Sequence, residues 1–204
     1  MVLGLILCGL TVCPAADVET VTYARTDDRE LTADIYRPSD GRRGPPVIVL
    51  VHGGGWKSGT KQKFSGLAEA LAAEGFGVVN IDYRLSGEAK FPVALQDVKR
   101  AIAWTRVNAA DYGFDAGRVY LVGGSAGGHL AALAAATPQT MNPSDVTGPQ
   151  PVEAVVIMGS GVDQVSRAKA GGPVPNAIAF FGGTVEEVPE VYEAASPITH
   201  VSSP

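Results

Sequence analysis

Cysteine is nearly absent from this 204-residue chain. There are two, Cys8 and Cys13, and both lie in the first apolar segment. Without that segment no pair remains to cross-link, so a disulfide framework is excluded and cysteine usage is silent on redox compartment. Charge is sparse as well. Sixteen Lys and Arg stand against 21 Asp and Glu, for a formal net charge of −5. With no basic cluster, neither nucleic acid nor an acidic surface is expected as a partner. Histidine is scarce: the three are His52, His129 and His200. There are no internal repeats and no low-complexity tract. What remains is 46% hydrophobic and 18% charged, the composition of a globular domain with a core. The length fits one domain.

Met1 to Ala16 reads MVLGLILCGLTVCPAA. An apolar run from Val2 to Cys13 ends in small residues, as in a secretory signal, and is too short to span a bilayer. No Lys or Arg precedes it, and a buried N-terminal strand is the alternative. The expectation is a signal peptide over 1–16, a secreted or periplasmic protein with no membrane role beyond export, and a single domain over 17–204.

Val18 to Arg25 and Leu31 to Tyr36 alternate apolar and polar residues. That pattern predicts an antiparallel hairpin at a sheet edge. Val47 to Val51 is a continuous apolar, β-branched run, the mark of a parallel strand buried on both faces. It runs into His52-Gly53-Gly54-Gly55-Trp56. A chance His-Gly-Gly-Gly in a chain of this composition has a probability of about 0.005. Glycines let a ligand oxygen approach the backbone closely. Main-chain N–H groups aimed at a developing oxyanion each contribute about 10²–10³ in rate. His52 reads as a hydrogen-bonded loop anchor, not a proton shuttle.

Phe64, Leu67, Ala68 and Leu71 repeat at helical spacing, and Gly75 stops that helix. Gly77 to Asp82 is the next parallel strand. Asp82 and Arg84 are expected to pair and hold the loop after it. Pro92 opens a helix whose face is Leu95, Val98, Ile102 and Thr105, with Asp97 and Lys99 expected to make only surface or capping contacts.

Val119 to Val122 is a buried strand, and Ala126 to Ala136 is an Ala/Leu-rich helix. Between them, Gly123-Gly124-Ser125-Ala126-Gly127 fits the G-x-S-x-G nucleophile elbow. Such a turn holds its serine in a strained conformation, with the positive end of a helix beneath the hydroxyl. The pattern alone is weak, because Gly and Ser are common here. The strand before it, the helix after it and the His52 motif give it weight. His129 reads as a packed, hydrogen-bonded residue. Val152 to Met158 is another apolar strand, Gln164 to Pro175 reads as loop, and Ala177 to Gly183 is expected to cover a cleft. Thr184 and Glu187 have capping-box spacing before a helical run from Pro189 to Ala195.

Together these residues resemble one family. The stretches are His52 to Trp56 with Gly59, Asp82-Tyr83-Arg84-Leu85, Gln96-Asp97-Val98, Tyr112 to Asp115, Gly123 to His129 and Ala195 to Ile198. The chain is similar to the bacterial carboxylesterase branch near hormone-sensitive lipase, which includes bifunctional feruloyl/acetyl-xylan esterase-like proteins. The resemblance implies an α/β-hydrolase fold, with a mostly parallel central sheet and helices on both faces. It implies Ser125 as nucleophile, and Gly54, Gly55 and Ala126 as the oxyanion hole. It further implies hydrolysis of short acyl esters as small-molecule substrates, without metal or cofactor.

In that family the triad Asp and then His follow later strands. Neither has a match here, so the resemblance leads to the expectation of a C-terminally truncated, inactive fragment lacking about 70–90 residues, two strand–helix units of roughly 30 or more each. Asp163 is a thinkable acid with no imidazole to orient. Truncation would leave the Val155 strand as an exposed apolar edge. The alternatives are a non-catalytic small-ligand-binding pseudoenzyme, or an amidase or peptidase on the same fold.

Overall fold

The structure, a computed structural model, describes residues 18–26, 29–38, 40–172 and 174–201. The expected signal peptide, with Cys8 and Cys13, lies outside the described residues.

Six strands form one sheet: β1 (Val18–Arg25), β2 (Glu30–Tyr36), β3 (Val47–Val51), β4 (Gly77–Ile81), β5 (Val119–Gly124) and β6 (Ala154–Met158), in the order β1-β2-β4-β3-β5-β6. The β1–β2 hairpin is antiparallel and sits at one edge, and β2 pairs antiparallel with β4. From β4 to β6 every pairing is parallel. The hairpin and the parallel centre both match the expectation, because alternation and continuous apolar runs report one-sided and two-sided burial respectively.

Helices cover both faces: α1 (Ser65–Ala73), α2 (Val93–Asn108) and α3 (Ala126–Ala136). Successive residues of β3 point to opposite sides. Ile48 and Leu50 pack with Val78 against Ala68 and Ala72 of α1. Val47, Val49 and Val51 face Leu95, Val98 and Ile102 of α2 and Leu130 and Leu133 of α3. All five β3 residues are buried. Each such Val, Leu or Ile stabilises the fold by about 1.5–3 kcal/mol relative to exposure.

Three expectations are corrected. Residues 164–175 are not loop: α4 (Gln164–Gly171) lies there, and α5 (Pro175–Phe181) begins at Pro175. Asp163 caps α4 by accepting the Ser166 N–H at 2.9 Å. Val165 and Ala168 lie against the core. The Gly171–Pro175 punctuation obscured both helices. Second, Arg84 does not pair with Asp82. It takes Asp97, with Nη2 to Oδ1 at 2.6 Å, while Asp82 accepts the Lys61 N–H at 2.8 Å. Third, Asp97 and Lys99 are fully buried rather than superficial. Asp97 accepts from Arg84 and Arg100. Lys99 Nζ donates to the Thr137 and Thr140 carbonyls and to Asn142 Oδ1. Long-range partners settled these side chains, and spacing along α2 holds no record of them.

At the other edge, β6 exposes Val156, Ile157 and Met158 at 54%, 38% and 40%. Among the described residues no strand pairs with its outer side. The apolar edge is as expected, and such an edge is a template for pairing with another chain.

Candidate active site

Ser125 stands between β5 and α3 with φ 50° and ψ −118°. This is a left-handed φ that non-glycine residues rarely adopt. Two main-chain bonds hold it there. Its N–H donates to the Met158 carbonyl of β6 at 2.8 Å, and its carbonyl accepts the His129 N–H at 3.0 Å. The neighbouring glycines allow the crossing. A Cβ on Gly127 would meet the Val51 and His52 carbonyl oxygens, and one on Gly53 would lie 2.7 Å from the Gly124 oxygen. The Ser125 residue is exposed while its neighbours Gly124 and Ala126 are buried, so the turn delivers one hydroxyl to the surface.

Gly55, Trp56, Ala126, Ser160, Gln164 and Arg167 line a cavity of about 90 Å³ around Ser125. Two of the three expected oxyanion donors, Gly55 and Ala126, therefore share a cavity with the serine. Gly54 is not among the lining residues. It turns the loop from behind, its carbonyl accepting the N–H groups of Lys57 and Ser58 at 3.2 and 3.1 Å. Among the described residues no acceptor takes the N–H of Gly54, Gly55 or Ala126. Ala126 is the first residue of α3, so its N–H also lacks a partner within the helix.

His52 anchors the glycine loop as expected. It is fully buried, stacks on Tyr83 at 4.4 Å, and shares Nδ1 with the Gly53 carbonyl at 3.0 Å. Tyr83 returns a hydroxyl donor to the His52 carbonyl at 3.0 Å. His52 Nε2 has no hydrogen-bond partner and lies 3.9 Å from Asp82 Oδ1. Burial pushes this imidazole below its ordinary pKa.

His129 is also packed as expected. Its Nδ1 accepts the Trp56 indole N–H at 3.2 Å, and its Nε2 donates to the Ala195 carbonyl at 2.7 Å. This fixes the neutral tautomer and places Trp56. His200 Nε2 is 2.9 Å from the Ala194 carbonyl. Asp163 is spent as the α4 cap. None of the chain's three histidines hydrogen-bonds to the Ser125 hydroxyl.

His129 makes acid stability testable. Burial pushes it down to about 4, opposed by the Ala195 bond and assisted by the Arg167 charge. Above pH 6.5 it is neutral folded or unfolded. Below that, only the unfolded chain takes the proton, so stability falls as pH drops from about 6.5 to about 4. The full loss is about 3 kcal/mol. His129→Gln retains a donor and an acceptor but does not titrate. In urea unfolding at pH 7 and pH 4.5, the variant is expected to lose about 2 kcal/mol less than the wild type. Equal losses in the two proteins would contradict the assignment.

The sequence missed Trp56, Gln164 and Arg167 as cavity residues. The last two lie on α4, in a stretch whose closing glycines and prolines predict loop. In the segment expected to cover the cleft, Ala177 to Gly183, Ala177 lines a neighbouring cavity and Phe180 stacks on Trp56 at 5.0 Å with a 6° interplanar angle.

Comparison with known proteins gives a family match and esterase relatives. Residues 33–204 match the BD-FAE family. Esterase LipC of Mycobacterium tuberculosis is 34% identical over 190 residues, covering 86% of this chain and 46% of LipC. The chain thus spans about half or less of the length of the curated relatives it matches. Among solved structures, esterase 2 of Thermogutta terrifontis superposes with a TM-score of 0.76 at 27% identity, over 94% of this chain and 69% of that one. A bifunctional GH43-CE protein of Bacteroides eggerthii gives 0.76 at 31% identity, over 89% and 28%.

Proposed function

The chain belongs to the BD-FAE family, an α/β-hydrolase family of carboxylesterase type near hormone-sensitive lipase, and on that premise we propose that it supplies the nucleophile and oxyanion hole of a serine carboxylesterase acting on short acyl esters. One observation carries the reading: Ser125 is held at positive φ in a cavity whose walls include Gly55 and Ala126, with unclaimed N–H groups beside it.

Ser125 Oγ attacks the ester carbonyl carbon and its proton passes to a general base. The carbonyl oxygen gathers charge and takes hydrogen bonds from the N–H groups of Gly55 and Ala126, while Gly54 shapes the turn that carries Gly55. The C–O bond then breaks, the alcohol leaves with the proton, and an acyl-serine remains. Water attacks it by the same route in reverse, releasing the acid. His52, His129 and His200 each bond a main-chain carbonyl and none bonds the Ser125 hydroxyl, so none of them is assigned as that base. A cavity of about 90 Å³ suits a small acyl group. Of the plant-polysaccharide esters that the resemblance suggests, acetyl esters fit this volume and feruloyl esters exceed it.

The test uses 4-nitrophenyl acetate and a fluorophosphonate label on two proteins: the product of the intact gene and the 204-residue chain alone. The intact product is expected to turn over, to be labelled on the Ser125 peptide, and to lose about 10⁶ in kcat on Ser125→Ala. The short chain is expected to keep only the residual 10³–10⁴ over water from the oxyanion hole and binding. Labelling at another residue overturns the assignment of the nucleophile. An intact product that binds esters but is neither labelled nor active supports the pseudoenzyme instead.

A further inference from the structure

A second cavity of about 160 Å³ adjoins the one at Ser125, and Gln164 and Arg167 line both. Whatever part of a substrate extends from the reacting carbonyl into this space passes the Arg167 guanidinium. We infer that this cavity is a subsite for a carboxylate-bearing part of the ester, anchored by Arg167. The inference rests on the esterase reading of Ser125 and deepens it by naming a substrate class.

Arg167 differs from most arginines in this chain. Seven of the ten hold a carboxylate: Arg25, Arg29, Arg37, Arg42, Arg84, Arg100 and Arg118. Arg106 rests on the Ala116 and Pro151 carbonyls. Arg167 has no carboxylate within 4.0 Å among the described residues. Its hydrogen bond, to Gln164 Oε1, is 3.5 Å long, at the limit of such contacts. The cavity also contains Lys169 and Glu186, neither in an ion pair among the described residues. Two cations and one carboxylate give this space a net positive lining.

The guanidinium is nonetheless placed. Its helix starts at the Asp163 cap. Its stem lies over Gly161, where a Cβ would come within 3.4 Å of Arg167 Cδ. Gln164, itself buried, is tied through Nε2 to the Gly161 carbonyl at 2.9 Å, and its Oε1 faces Arg167. The charge sits 6.0 Å from the centre of the Trp56 ring, within reach of a cation–π contact. Trp56 is fixed by His129 and Phe180 and follows Gly55 directly. A positioned planar guanidinium that holds no carboxylate among the described residues is suited to bidentate capture of one. That capture would hold the ester against the oxyanion loop.

The experiment compares charged and neutral esters of matched length on the intact gene product. One pair carries the charge on the acyl side: 4-nitrophenyl hemisuccinate and 4-nitrophenyl pentanoate. The other carries it on the alcohol side: carboxymethyl acetate and propyl acetate. In at least one pair, the charged-to-neutral ratio of kcat/KM is expected to fall about tenfold or more on Arg167→Gln, and Arg167→Lys is expected to restore part of it. Unchanged ratios in both pairs overturn the subsite and leave the esterase reading standing. If no ester is turned over, ligand-observed NMR with monoethyl succinate decides. Binding lost on Arg167→Gln keeps the subsite and removes the esterase reading. Binding that is absent or unaffected removes the subsite.

Discussion

Gly54→Ala in the intact protein is expected to slow acylation of Ser125 by 4-nitrophenyl acetate at least a hundredfold while leaving the sheet folded. Gly54 has φ 143°, a conformation that side chains rarely adopt. An added Cβ would also fall on the Ser58 carbonyl, with the carbonyl carbon 2.6 Å away. That carbonyl is backbone and cannot swing aside. The Gly54–Ser58 turn must therefore open, breaking the three bonds that the Lys57 N–H and the Ser58 N–H and hydroxyl make to the Gly54 carbonyl. Gly55 rides on that turn, so its N–H leaves the cavity it shares with Ser125. Losing one preorganised oxyanion donor costs about 10²–10³ in rate. The turn lies outside the sheet, so circular dichroism and the unfolding midpoint should move little by comparison. A variant that acylates within threefold of wild type would place the oxyanion donors elsewhere. Ser58→Gly, which leaves the clashing carbonyl in place, should not rescue it.

The parts of this site legible in the sequence were those written in backbone geometry. Gly54 and Gly55 announce a loop that needs unusual dihedrals, and Gly123-x-Ser125-x-Gly127 announces a strand meeting a helix at close range. Both are local demands, so local residues record them. The continuous apolar runs of β3 and β5 likewise record burial on two faces. Contacts between side chains distant in sequence left no such trace. Asp82 and Arg84 are two residues apart and opposite in charge, so pairing was the simple expectation. Both lie in the loop past the end of β4, where they diverge, one to Lys61 and the other to α2. Arg167 was invisible for a different reason. Its helix is short, and the glycines and prolines from Gly171 to Pro175 outweighed an Asp163 cap that is correct in form.

Asp97 shows what those distant contacts support. Its carboxylate is fully buried in α2 and accepts four donors: the Arg84 N–H, Nε and Nη2 at 3.0, 2.9 and 2.6 Å, and Arg100 Nη1 at 2.9 Å. Both guanidiniums are largely buried, at 11% and 15% exposure. Removing one partner of a buried charged pair costs about 3–5 kcal/mol, because the other charge stays out of water. Asp97→Ala should therefore destabilise the protein by that amount in urea unfolding. Asp97→Asn keeps an acceptor and should lose less. Asp145→Ala is the control: that carboxylate is 54% exposed and also holds Arg100, and exposed pairs contribute at most about 1 kcal/mol. The two losses separate because Asp97 is fully buried and takes four donors, whereas Asp145 is 54% exposed and takes the Arg100 Nε alone among the described residues. Arg84 sits beside Tyr83, which braces His52 by its ring and its hydroxyl, and the following Ser86 N–H donates to the Trp56 carbonyl at 2.7 Å. The loop that Asp97 anchors is thus the floor of the glycine loop. In the folded fraction of Asp97→Ala, Ser125 acylation should slow as well, which Asp145→Ala should not reproduce. A stability loss under 1 kcal/mol in Asp97→Ala would mean that α2 and the 82–86 loop are held together by apolar packing alone.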